Sequence, residues 1–227
     1  MDKKLNTDEG AWFGELGKRT RRFWALKLHG SVAIIAAFFY CYFWVLHHPE
    51  FAVAFVPLTP VDRLVPFLPA TVWIYFSLWP YVVLLPSLYD HRQPILRYLG
   101  GVGLLSGIGM SVFYFFPTAV PAGNQVHRAD HFGFGFLEGV DAAGNACPSL
   151  HVAFAVYTAA GLNSVLKDVR APFVVRQANF AWAAAICIST LTTGQHVFID
   201  VMAGFTLGLL CAKLVTTSQN QSSSAGA

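Results

Sequence analysis

The stretch Ser189-Thr190-Leu191-Thr192-Thr193-Gly194-Gln195-His196-Val197-Phe198-Ile199-Asp200 separates two long apolar runs, 173–193 and 197–215. A helix needs about 20 apolar residues to cross a hydrocarbon layer roughly 30 Å thick. Each flanking run has that length, so the stretch is the turn between two membrane helices. A second stretch, Cys147-Pro148-Ser149-Leu150-His151, opens another apolar run at 148–166. Working outward gives three more runs, at 28–46, 70–89 and 96–116.

Backbone groups in lipid must be satisfied within their own segment, so such runs are helices. No series of short alternating strands is present, which excludes a membrane β-barrel. The expected fold class is therefore all-α: an integral membrane six-helix bundle. The composition agrees, with 55% hydrophobic, 15% aromatic and only 12% charged residues. That is too apolar for an ordinary soluble domain.

The net charge of +3 is small, and its distribution says more. Lys3, Lys4, Lys18, Arg19, Arg21, Arg22 and Lys27 crowd the N-terminus. Arg92 and Arg97 lie between runs two and three, Lys167, Arg170 and Arg176 between four and five, and Lys213 at the end of six. Only Arg63 and Arg128 fall in the other loops. The positive-inside rule then places both termini in the cytoplasm. It also explains the basic N-terminus without nucleic acid, which is not an expected partner.

Three regions follow. Residues 1–27 form a basic cytoplasmic or interfacial segment, 28–215 the membrane domain, and 216–227 a Ser- and Gln-rich disordered tail. The first run is read as a retained anchor, because no small-residue cleavage site follows it. The four cysteines, Cys41, Cys147, Cys187 and Cys211, form no CxxC pair and give no metal or redox signal. Gly103 and Gly107, like Gly204 and Gly208, are four apart and are expected to pack helices closely.

Helices four and six both start on the outer side, so His151 and His196 meet at one membrane face. His196 and Asp200 are spaced i,i+4 at the start of the last helix, which puts them on one helical face. A carboxylate there accepts the Nδ1 proton and leaves Nε2 as nucleophile or base. His151 lies near a helix start whose free N–H groups, with the Ser149 hydroxyl, form an anion site. This combination is suited to phosphoryl transfer. Ionisable groups at a membrane rim are costly and mark function more often than structure. A zinc site using His127 and His131 is the competing chemistry, but no spacing ties those two to the motifs. No metal ligand and no cofactor is assigned.

These motifs resemble those of the type-2 phosphatidic acid phosphatase (PAP2) superfamily of lipid phosphatases and phosphotransferases. The family's second motif, Pro-Ser-Gly-His, corresponds to Pro148-Ser149-Leu150-His151. Its third, Ser-Arg, five residues, His, three residues, Asp, corresponds to Ser189-Thr190, His196 and Asp200. The resemblance covers helices three to six, and the first two by count only. It implies His196 as the nucleophile that forms a phosphohistidine, Asp200 as its orienting partner, and His151 as acid and then base. Ser149, Ser189 and Thr190 are implied in substrate binding, and no metal is required.

Two departures stand out. The family's first motif, Lys, six residues, Arg-Pro, should follow helix three, but Phe116-Pro117-Thr118-Ala119-Val120-Pro121 has no basic residue. Arg92-Gln93-Pro94 lies on the other side of the membrane. The motif-three arginine is Thr190. Arg128, in the long loop 117–146, is the expected substitute, with His127 beside it. The departures resemble the branch that includes inositol phosphorylceramide synthases.

The sequence thus predicts a lipid phosphatase acting on a phosphomonoester or diphosphate at the outer or periplasmic face of a plasma (inner) membrane. Its expected partners are the lipid phosphate substrate and membrane lipids. A lipid headgroup phosphotransferase on the same site is the first alternative. A non-catalytic transporter or scaffold is the second.

Overall fold

The computed structural model describes residues 11–48, 50–121, 134 and 145–224, with side chains as far as 215 in the last helix. Helix α1 covers Ala11–Arg21 and α2 Trp24–His47. A 3-10 turn, Pro69–Thr71, leads into α3, Val72–Phe76, and α4, Leu78–Ser87. Then come α5, Arg92–Phe115, α6, Leu150–Asp168, α7, Phe173–Thr192, and α8, Phe198–Ser224.

Among the described residues, five segments are long and apolar enough to cross a membrane: α2, the stretch Pro69–Ser87, α5, α7 and α8 to Val215. Their outward side chains are apolar. Tyr40 on α2 is 74% exposed, Leu96 on α5 66% and Ile188 on α7 57%. A soluble protein rarely carries so much exposed apolar surface; lipid is its natural solvent. The expected fourth span, α6, is not among the five. The physical reason is its position. Thirteen of its 19 residues are buried by the other helices, Thr158 and His151 among them, so it does not need a lipid-facing surface.

Lipid gives helices no hydrophobic drive to associate, so close backbone approach and hydrogen bonds must do it. Gly204 and Gly208 fulfil the expected role on α8. A Cβ at Gly204 would strike the Ser149 carbonyl, and one at Gly208 would lie 2.6 Å from the Ala153 carbonyl. On α5 the expected pair is wrong: Gly103 and Gly107 face open space. Gly101 and Gly109 make the contacts instead, against Tyr157 and Leu150. They flank Leu105, which is fully buried, on one face of α5. Inside the bundle, the Tyr81 hydroxyl donates to Asn179 Oδ1 at 2.6 Å, and Asn179 Nδ2 donates to the Ala159 carbonyl at 3.0 Å. Such interhelical bonds average about 0.6 kcal/mol.

The second span is broken at Ser77. Pro80 has no N–H for the Phe76 carbonyl, so the helical ladder cannot continue through it. Ser77 closes the turn, with its hydroxyl on the Ile74 carbonyl at 2.6 Å. One small departure from all-α is a parallel two-residue strand pair, β1 (Ala54–Phe55) with β2 (Thr118–Ala119). The last helix runs on to Ser224, across most of the stretch expected to be a disordered tail. No glycine or proline interrupts the sequence there before Gly226.

Candidate active site

The first motif starts α6 differently from the sequence expectation. Pro148 precedes the helix, and Ser149 is its N-cap. The Ser149 hydroxyl accepts the Val152 N–H at 3.3 Å. His151 is therefore the second helical residue, and the N–H groups of Leu150 and His151 have no partner within the helix, as at any helix start. His151 Nε2 lies 2.8 Å from the Tyr75 carbonyl, just before the break at Ser77. A carbonyl only accepts, so Nε2 carries the proton. The imidazole also stacks on the Tyr75 ring at 3.8 Å and meets the edge of Trp79 at 6.1 Å.

The second motif is a turn between α7 and α8. Gly194 ends α7 with φ 65°, a left-handed conformation that glycine adopts without strain. His196 follows outside the helix, its N–H on the Thr190 carbonyl at 3.1 Å. The i,i+4 helical-face argument thus does not apply, because α8 begins only at Phe198. Capping brings Asp200 back instead. From the third position of α8, its Oδ2 accepts the Val197 N–H at 3.0 Å, the carboxylate half of a capping box. This leaves the same oxygen 3.5 Å from His196 Nδ1. That separation is too long for a good hydrogen bond. His196 Nδ1 and Asp200 Oδ1 have no hydrogen-bond partner among the described residues.

Three bonds draw the segments together. The Ser149 N–H donates to the Asp200 carbonyl at 3.0 Å, the Leu68 N–H to the Thr192 carbonyl at 2.9 Å, and the Phe198 N–H to Asp62 Oδ1 at 2.7 Å. Gly204 allows the first of these by letting α8 touch the Ser149 backbone. His151 and His196 then line one cavity of about 440 Å³. The rest of its wall is mainly aromatic, with Phe38, Tyr42, Trp79, Phe113 and Phe154.

The other expected site residues fare differently. Ser189 and Thr190 are buried and turn their hydroxyls onto the Ile186 and Cys187 carbonyls, each at 2.7 Å. Neither is among the described residues lining the cavity. Arg128, His127 and His131 lie outside the described residues. No lysine or arginine appears among the described lining residues, and Arg92 opens α5 at the opposite end of the bundle.

Two residues were missed. Asp62 is buried, and its Oδ2 takes both the N–H and the hydroxyl of Thr59 at 2.7 Å. Burial alone would raise its pKa, but these bonds and the Phe198 N–H hold it below the usual carboxylate value. The signal was present: Asp62 lies three residues after Thr59 in an apolar loop, and an acid there needs donors. Cys147 neighbours Asp200. Burial, then the Asp200 carboxylate, push its thiol up to about 11.

The PAP2 superfamily model matches residues 95–224, more than half of the chain. The chain belongs to the PAP2 superfamily. The PAP2 match takes in α5 to α8, and so both histidine motifs. Membership suggests a phosphatase-type, lipid-modifying activity in a membrane. No curated protein and no solved structure matches the chain.

Proposed function

We propose that this PAP2 protein hydrolyses a lipid phosphomonoester or diphosphate through a phosphohistidine on His196. One observation carries the reading: His151 and His196, from separate motifs, open on the same cavity, with Asp200 beside His196. His196 Nε2 attacks phosphorus, and the P–O bond to the lipid breaks. Asp200 accepts Nδ1–H and stabilises the cationic ring. Closing the 3.5 Å gap to Oδ2 gives the buried Nδ1 a partner, a group whose isolation costs on the order of 1–3 kcal/mol. His151, acting as the imidazolium with Nε2–H anchored on the Tyr75 carbonyl, gives its Nδ1 proton to the leaving alkoxide and becomes neutral. Water then attacks phosphorus, His151 takes its proton, and the P–N bond breaks to release phosphate.

The developing charge needs donors. The first N–H groups of α6 and its dipole supply part of it. Arg128 is proposed for the remainder, and the Ser149 hydroxyl proton for one phosphate oxygen. Ser189 and Thr190 are proposed to act by fixing the turn that holds His196. The bundle is read as six membrane helices including α6, with the site outside and both termini inside. The basic residues at the starts of α2, α5 and α7, at the end of α6, and Lys213 at the end of the apolar part of α8 support that orientation.

Headgroup transfer is the second reading. The aromatic wall of the cavity favours it, because such a wall accepts a lipid alcohol more readily than water. The purified protein, offered lipid phosphates with and without an alcohol acceptor, separates the two. Free phosphate alone indicates hydrolysis; a new phospholipid indicates transfer. His196→Ala is expected to abolish both products and the acid-labile phosphoprotein. Substantial turnover by that variant would remove His196 as nucleophile.

A further inference from the structure

At the end of the bundle away from the histidines, α1 turns sharply into α2. Phe23 makes the corner with φ 56° and ψ 27°, the left-handed region. A bulky residue reaches it only under strain, and only where its surroundings impose it. The corner is imposed by Lys27, whose ammonium donates to the Arg19 carbonyl at 2.7 Å and the Ser87 carbonyl at 2.8 Å. The Phe23 ring is thereby presented to two guanidinium groups, Arg22 at 5.2 Å and Arg92 at 5.6 Å from its centre. Neither arginine forms an ion pair among the described residues. The acid nearest Arg92 in sequence, Asp90, is engaged by His91 at 2.6 Å and Arg19 at 3.9 Å, and the one nearest Arg22, Glu15, by Arg19 at 3.5 Å and Lys18 at 3.7 Å.

Phe23 and Arg92 stand at the rim of a groove of about 450 Å³ between α2, the end of α4 and α5, and Arg22 reaches that rim through the Phe23 ring. Its floor is apolar, with Leu26, Ile95, Leu96 and Leu99, and Gly30 leaves one wall open. The volume falls within the roughly 300–1,000 Å³ usual for small-molecule clefts. Two like charges sharing one ring repel unless an anion joins them. An apolar groove between membrane helices beside such a pair matches one kind of molecule: a phosphate headgroup with an acyl chain.

We propose that this groove is a binding site for an anionic phospholipid, with its phosphate between Arg22 and Arg92 and one chain against α5. It is separate from the histidine cavity. Leu96 and Phe113, one in each wall, are 17 residues apart on α5, about 25 Å at 1.5 Å per residue. The occupant therefore belongs to the opposite leaflet and is not the substrate.

The test is lipid retention by the full chain, measured by native mass spectrometry after release from equimolar phosphatidylglycerol and phosphatidylcholine. The wild type is expected to retain phosphatidylglycerol at least threefold over phosphatidylcholine. R22Q/R92Q, two exposed positions, should equalise the two lipids. A Cβ at position 30 meets no neighbour within 4 Å, so Gly30→Leu starts without a clash, extends into the groove, and should reduce retention of both. R63Q, a cation at the other end, should keep the preference. Equal retention by the wild type, a preserved preference in R22Q/R92Q, or unchanged retention in Gly30→Leu overturns the site.

Discussion

Replacing Asp62 with alanine tests whether the loop before α3 sets the position of His196. Asp62 takes three hydrogen bonds of 2.7 Å, one from the Phe198 N–H and two from Thr59. Bonds to a charged group contribute about 1.5–3 kcal/mol each. The side chain is only 7% exposed, so water replaces it in part. Alanine leaves two backbone N–H groups without an acceptor, a local loss of about 2–5 kcal/mol. The Phe198 share of that loss falls on the first turn of α8, two residues beyond His196. The His196 N–H keeps its Thr190 carbonyl, and Asp200 keeps the Val197 N–H. The imidazole is thus displaced rather than lost. A misplacement near 1 Å costs about 100-fold in rate.

The expected result is a fall in kcat of about 10- to 100-fold with little change in KM. Hydrogen exchange of a peptide covering 195–202 should be faster. Asp62→Asn keeps one carbonyl oxygen and should fall between. The pH dependence gives a second check. The folded Asp62 pKa is depressed, so its stabilisation is present above the unfolded value of about 3.9 and is lost as pH falls through the folded value. Exchange at Phe198, corrected for its intrinsic rate, should rise in that acid range in the wild type and not in Asp62→Asn. Wild-type turnover together with unchanged exchange in Asp62→Ala would refute the reasoning.

Gly204→Val should reduce both folded yield and activity, since its side chain meets the Ser149 carbonyl; Gly103→Ala and Gly107→Ala should match wild type in thermal stability. Cys147, with its thiol near 11, should alkylate slowly at pH 8, and its rate should rise about tenfold per pH unit toward that value; a pH-independent rate would contradict its position beside Asp200. Turnover should persist in EDTA, and a loss restored by zinc would replace the metal-free scheme.

Much of the candidate site's geometry was legible because it rests on chemistry that side chains announce. Histidines beside apolar runs and an acid four residues on named groups that the fold brings together, and the glycines four apart on α8 named a close helix contact. The failures have a common cause: helix phase and caps. Gly103 and Gly107 sat two residues out of register with the buried face, because glycine spacing gives a period but not its orientation. The His196–Asp200 contact was expected from a helical face, whereas capping delivers it. The break at Ser77 was readable from Pro80, but its consequence, a carbonyl at Tyr75 facing His151, required the third dimension. Asp62 was hidden by distance, 136 residues from the Phe198 amide it caps. The polarity of α6 likewise became explicable only once its neighbours were seen to enclose it.

The arrangement places each central group within three residues of a helix start. His151 is second in α6, Asp200 third in α8, and His196 two residues before α8. Their orientation therefore depends on how those starts are capped, and the caps are reciprocal. Asp200 offers its carboxylate to Val197 and its carbonyl to Ser149, which in turn caps α6. Asp62 binds the same α8 start through the Phe198 N–H. One such cap is typically worth about 1 kcal/mol, little against the packing of the whole bundle. The same energy is decisive for the direction of a side chain at a helix end, where no preceding turn restrains it. Cap substitutions should consequently separate activity from stability, reducing turnover in protein that remains inserted and helical. Substitutions at the α6–α8 glycine contact should lose both together, because that contact holds the two starts at one height.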